Sequence, residues 1–134
     1  MSANPVYPEH WEADVILRDG RICHIRPIRP EDGDALAAFH ESLSAETIYY
    51  RFFAPYPRLT EKDVFRFTNV DYEDRVAFVA LINESIIGVG RYDRIDRSQA
   101  EIAFVISDQH QGRGLGSILL EHLAVAAREK GISR

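Results

Sequence analysis

Two groups of residues in this chain have the types and spacing to do chemistry. One is Glu101, inside the apolar run 100–106 (AEIAFVI); the other is Gln111-Gly112-Arg113-Gly114-Leu115-Gly116, just after it. The run is rich in the β-branched and aromatic residues that favour strands. Beyond the glycines, Leu115, Ile118, Leu119, Leu123, Ala126 and Ala127 recur at helical spacing, and Gly131 supplies a stop. The glycine segment is therefore expected to join a strand to a helix. The first N–H groups of a helix lack internal partners, and the helix dipole places roughly half a positive charge there. Glycines at 112, 114 and 116 carry no Cβ to hold a ligand off those amides, so a phosphate or diphosphate can rest on them. Arg113 adds a mobile counter-charge and Ser117 a hydroxyl donor. The spacing fits neither the dinucleotide fingerprint nor the triphosphate loop with its Lys-Ser/Thr pair. A tight turn without a ligand is the plain alternative.

In a strand, residues 101, 103 and 105 face one side and 102, 104 and 106 the other. Glu101 thus shares a face with Ala103 and Val105, in a strand expected to lie centrally. A glutamate so placed suits general-base work, since a partly buried carboxylate can take a proton directly or through a water. The alternative is a solvated glutamate at a strand end.

The elements that must hold these groups read as follows. Residues 15–17 and 22–28 form a hairpin around Asp19-Gly20, with Cys23 and Ile25 on one face and His24 and Arg26 on the other. Pro30 opens a helix whose buried stripe is Leu36, Phe39 and Leu43, with Glu31 and Asp32 in its first turn. Ser44 caps a second helix, through Phe53. Thr60 and Asp63 form a capping box for a third, through Asn69. Strands at 76–82, 86–92 and 100–106 make an antiparallel meander, so that a sheet covered by helices results.

Composition narrows the function. A chain of 134 residues with 46% apolar content builds one core, not two. The net charge of −5, with no basic block, argues against a nucleic-acid binder. The longest apolar run, 76–82, is too short to cross a bilayer, and the N-terminus lacks a secretory pattern, so no membrane is expected. A single cysteine, Cys23, excludes an internal disulfide and accords with a reducing cytoplasm; it reads as a small buried strand residue. The histidines at 10, 24, 40, 110 and 122 show no ligand spacing with Cys23, and no metal is expected. His122 falls near the apolar face of the last helix and His110 beside the loop.

Gln111, Gly114 and Gly116, directly after a strand and opening a helix, match the acyl-CoA diphosphate loop of the GNAT superfamily of N-acetyltransferases, which the chain resembles. Residues 25–32 (IRPIRPED) resemble the first strand and helix entry of that superfamily. Residues 44–53 (SAETIYYRFF), with PYPRL at 55–59, are similar to the acetyltransferase domain of bacterial Pat-type protein lysine acetyltransferases, often fused to an acyl-CoA-synthetase-like domain. The resemblance spans about residues 14–134, leaving 1–13 as an N-terminal arm packed on the surface.

This resemblance implies an α/β (α+β) fold with a mixed, mostly antiparallel sheet flanked by helices. It implies acetyl-CoA as co-substrate, its diphosphate on the amides of Gly112, Arg113, Gly114, Leu115, Gly116 and Ser117. The pantetheine arm would pair with the backbone of Phe104, Val105 and Ile106 like an added strand, and the same backbone would polarise the thioester carbonyl. Glu101 matches the position of the family's glutamate base. The helical region would wall the acceptor cleft, with Tyr50 or His40 as candidates to face substrate. The implied acceptor is a protein lysine, with an AMP-forming acetyl-CoA synthetase as the family's usual target. A small-amine acetyltransferase and a non-catalytic acyl-CoA-binding regulatory module remain the other readings. Turnover of free amines but not proteins would mark the first, and dispensability of Glu101 the second.

The resembled fold continues after this helix with a splayed strand and a helix that often donates a tyrosine as general acid. Here the sequence stops at 131–134, so the domain is expected to be truncated, its C-terminal strands missing and no general acid assignable. An unpaired strand edge would favour self-association or instability. Light scattering over a concentration series is expected to show growth in mass, and a stable monodisperse monomer would contradict it.

Overall fold

The computed structural model describes residues 6–44, 48, 58–111 and 114–132. Its centre is β3 (Arg75–Ile82), in which all but the end residues are buried. An uninterrupted apolar run suits a strand covered on both faces, and β3 has that setting. The described strands β1 (Ala13–Ile16), β2 (Ile22–Pro27), β3, β4 (Ser85–Arg94) and β5 (Ala100–Ile106) form a sheet in the order β1-β2-β3-β4-β5. Each described pairing is antiparallel. The expected hairpin and meander are thus present, joined by the β2–β3 pairing of His24 with Leu81 and Pro27 with Phe78.

Helices cover both sides. On one face lie α1 (Gly33–Glu41) and α2 (Glu61–Thr68). Leu36, Phe39 and Leu43 are buried there as the stripe predicts. The Thr60–Asp63 capping box is formed in both directions: Asp63 N–H donates to Thr60 Oγ1 and Thr60 N–H to Asp63 Oδ2. The expected helix over 44–53 lies almost wholly outside the described residues; Ile48 is buried. On the other face lies α3 (Leu115–Glu129), whose Leu115, Leu119, Leu123 and Ala126 are buried.

The approach of α3 to the sheet is set by two glycines of β4. A Cβ at Gly88 would meet Leu115 Cδ2 at 3.1 Å, and one at Gly90 would meet Leu123 Cδ1 at 3.2 Å. Their missing side chains let the helix lie directly against the strand backbone.

Two features go beyond what the sequence suggests. Trp11, in the short 3-10 turn Glu9–Trp11, is not a surface residue: it is buried against Phe78, ring centroids 5.8 Å apart, and its indole N–H donates to Glu129. Asp32 sits in the first turn, as expected, in the 3-10 segment Pro30–Asp32 ahead of α1, but it is buried. It receives both Arg26 guanidinium nitrogens, at 2.7 and 2.8 Å, and the Arg29 N–H at 2.7 Å. That bidentate pair is largely dry, and Asp32 in turn favours the charged form of Arg26.

Cys23 has no exposed surface, and burial pushes its thiol up to about 11. Because the folded thiol ionises later than the unfolded one, this group withdraws stability as pH rises above about 9, where only the unfolded chain ionises. Alkylation followed by mass spectrometry at pH 8 should leave Cys23 unmodified in the native chain and label it fully in urea. Asp32→Ala leaves a largely buried guanidinium without its carboxylate, with the Pro27 carbonyl still accepting from it, and should lower unfolding stability by about 3 kcal/mol in denaturant titrations.

Candidate active site

β5 carries the candidate groups on two faces and at its two ends. The register sets Glu101 opposite Asp93, Ala103 opposite Arg91 and Val105 opposite Val89. These residues share the face covered by α1 and α2. A cleft of about 260 Å³ opens here, lined by Arg66, Phe67, Arg75, Arg91, Asp93, Glu101 and Ala103. It shares Phe67, Arg91 and Ala103 with a narrow apolar cavity of about 30 Å³ that reaches Phe39, His40 and Val105. Glu101, Ala103 and Val105 therefore face the helical side together, as strand alternation predicts.

Glu101 differs from expectation in two respects. β5 is the last strand in the described order, not a central one, and Glu101 is exposed. A meander lays consecutive strands side by side, so its final strand forms the edge of the described sheet. The carboxylate stands at the open end of the cleft, beside cationic groups. Arg91 is buried, its guanidinium 4.4 Å from the centre of the Phe67 ring. Arg75 bridges to Asp93 at 3.2 Å and donates to the Arg66 carbonyl at 2.6 Å. The cleft is thus a polar mouth over an apolar floor, suited to a charged side chain with an aliphatic stem.

The opposite face of β5 meets the start of α3. An added Cβ at Gly116 would touch Ile106 Cδ1 and Phe104 Cε2 at 3.4 Å, an ordinary contact. Gly116 is therefore placed for packing on β5 as much as for access to its amide. Gly114 is different: its φ of +83° is left-handed, and it forms the N-cap of α3 without a side-chain cap. Ile118 N–H makes the return bond to the Gly114 carbonyl at 3.2 Å. The amides of Leu115, Gly116 and Ser117 precede any carbonyl that the helix could offer them. Ser117 is exposed and Leu115 is anchored in the core. Such a start of helix, uncapped and with a glycine at its lip, fits a diphosphate.

Gln111 holds the near side of this loop, donating from Nε2 to the Ile106 carbonyl at 3.1 Å. Phe104 stays 45% exposed, so this flank of β5 has apolar surface to offer. The outer edge of β5 pairs with no strand among the described residues. Gly112, Arg113 and Tyr50 lie outside the described residues. His40 is buried under the sheet and lines the apolar cavity, set back from Glu101. His122 bonds the Ile118 carbonyl at 2.9 Å and packs on Phe78 as a half-buried residue at the edge of the core. His110 is half-buried and bonds Ser107 Oγ. Among the described residues no three His, Cys, Asp or Glu side chains group as a metal site, and no helix is long and apolar enough to cross a membrane. Arg91 and Asp93 escape sequence reasoning because the meander register, not their own spacing, brings them beside Glu101.

Residues 36–134 match the model of the acetyltransferase (GNAT) family. Acetyltransferase PA5475 of Pseudomonas aeruginosa is 34% identical over 128 residues, covering 92% of this chain and 68% of its own length. Acetyltransferase Pat of Mycolicibacterium smegmatis is 32% identical over 126 residues, covering 90% of this chain; the chain spans only 37% of that relative. The crystal structure of the GNAT domain of S. lividans PAT matches with a TM-score of 0.91 and 52% identity, over 95% of this chain and 77% of that one.

The two loop glycines are separable by substitution. Gly114→Ala forces a side chain into the left-handed region and should cost about 1–2 kcal/mol of unfolding stability. Gly116→Ala, at a helical position with room for a methyl, should cost none. Equal losses at both positions in denaturant titrations would contradict this account of the loop.

Proposed function

The chain belongs to the acetyltransferase (GNAT) family, and from that premise we propose that it transfers an acetyl group from acetyl-CoA to a protein lysine. The observation that carries this is the arrangement on β5. Glu101 opens into a cleft on one face, and about 17 Å further along the strand its end leads to an uncapped helix start. That separation suits a co-substrate whose charged end and reacting thioester are joined by a long arm. The family uses acetyl-CoA, which supplies an activated thioester carbonyl. The amides of 114–117 and Ser117 would take its diphosphate, with Gly112 and Arg113 completing the loop, and the flank of Phe104, Val105 and Ile106 would support the arm.

Glu101 then acts on the acceptor. Its carboxylate removes the ammonium proton, and the freed amine attacks the thioester carbon. The N–C bond forms as the carbonyl opens to a tetrahedral adduct. On its collapse the C–S bond breaks, the thiolate leaves with the electron pair, and the second nitrogen proton passes to the thiolate through solvent, giving a neutral amide and the free thiol. Arg66 and Arg75 at the mouth favour an acceptor with acidic residues around its lysine, while the Phe67–Ala103 floor takes the aliphatic stem. The protein acceptor is further supported by the Pat-like segment at 44–59 and by 52% identity to the GNAT domain of S. lividans PAT. An AMP-forming acetyl-CoA synthetase is the proposed target, in a cytoplasmic setting that suits the lone buried Cys23.

Incubation with acetyl-CoA and such a synthetase, read by mass spectrometry, should show acetylation at one lysine. Glu101→Gln should lower kcat by about 10²–10⁴ with little change in the KM for acetyl-CoA. Bound acetyl-CoA with no protein acetylation would favour a small-amine enzyme or a non-catalytic acyl-CoA-binding module. Equal rates for both proteins would remove Glu101 from the chemistry.

A further inference from the structure

The β1–β2 hairpin brings a cation to the diphosphate loop that motif spacing does not reveal. Arg18 sits at the tip of this hairpin, nearly a hundred residues before the loop. A Cβ built on Gly114 would lie 3.3 Å from Arg18 Nε and 3.7 Å from its Cζ and Nη2. The guanidinium therefore lies directly over the N-cap of α3. Nothing in the hairpin requires it there. Arg18 is exposed, and it makes no ion pair or side-chain hydrogen bond among the described residues. The neighbouring carboxylate, Asp19, is instead engaged by Arg21 Nε and Nη2 at 2.9 and 2.7 Å.

We propose that Arg18 of the β1–β2 hairpin contributes to acyl-CoA binding: its guanidinium contacts the diphosphate that rests on the amides of α3. This rests on the acetyltransferase reading above. A guanidinium is planar, always charged and carries paired N–H donors that match phosphate oxygens. Any L side chain at position 114 would stand between Arg18 and the helix start, which gives Gly114 a role beyond its left-handed φ. Arg18 is a binding residue that holds the co-substrate and takes no part in proton transfer. The hairpin and the loop are remote in sequence, and the pairing of β2 with β3 and the packing of the last helix on β3 and β4 bring them together.

Calorimetric titration of the chain with acetyl-CoA and with 3′-dephospho-acetyl-CoA tests this, using wild type, Arg18→Ala and Arg18→Lys. Arg18→Ala should bind both ligands about tenfold more weakly, with a shallower dependence on salt. Arg18→Lys should fall between it and wild type. All three should melt at the same temperature, because the side chain is exposed. Unchanged affinity in Arg18→Ala overturns the proposal, as does a loss that vanishes with the dephospho ligand, which would move the contact to the 3′-phosphate. Failure of wild type to bind acetyl-CoA would instead overturn the acetyltransferase reading itself, and this inference with it.

Discussion

The close approach of α3 to β4 is the constraint on which the site depends. Gly88 and Gly90 give up their side chains, and Leu115, Leu119 and Leu123 fill the space. Interiors are packed to crystal-like density, so a helix held this closely has little freedom to slide or tilt. Its first turn is thereby fixed against Phe104 and Ile106 at the end of β5. The same contact sets how near the hairpin tip with Arg18 comes to Gly114. An anion site made of backbone amides needs such placement, since amides cannot reach for a ligand as a lysine can.

β5 divides its two faces between two tasks. Its odd-numbered residues share a cleft with α1 and α2, and its even-numbered residues meet α3. Because strand alternation is strict, the proposed acceptor and co-substrate would approach one strand from different directions without competing for space. The charge pattern follows the same division. The free amides of the helix start and the guanidinium of Arg18 favour a polyanion, whereas Glu101 and Asp93 sit in the cleft beside Arg91 and Arg75. Glu101 is exposed and Arg91 deeply buried, so a fixed cation lies inside the cleft and a carboxylate at its mouth.

Much of this was legible in the sequence, for identifiable reasons. Leu36, Phe39 and Leu43, the Thr60–Asp63 box, and the α3 stripe follow periodic or capping rules that act within a few residues, and each was found in place. The order of the meander followed from its short turns, and the facing of Glu101 from alternation. What escaped depends on register and on distant chain segments. Trp11 looked like part of a surface arm and is core, because its partners Phe78 and Glu129 are far along the chain. Asp32 is the helix-start charge it looked like, and its further lock on Arg26 was not legible. The central position expected for β5 assumed neighbours on both sides. Arg18 carries no motif at all.

Amide hydrogen exchange with and without acetyl-CoA tests the central claim most directly, because the claim concerns backbone N–H groups at one helix start. The account predicts slowed exchange at 114–118 and along 104–106, with the far end of α3 unchanged. Protection confined to another groove, such as the one lined by Tyr7, Arg29 and Tyr72, with the start of α3 unaffected, would contradict it.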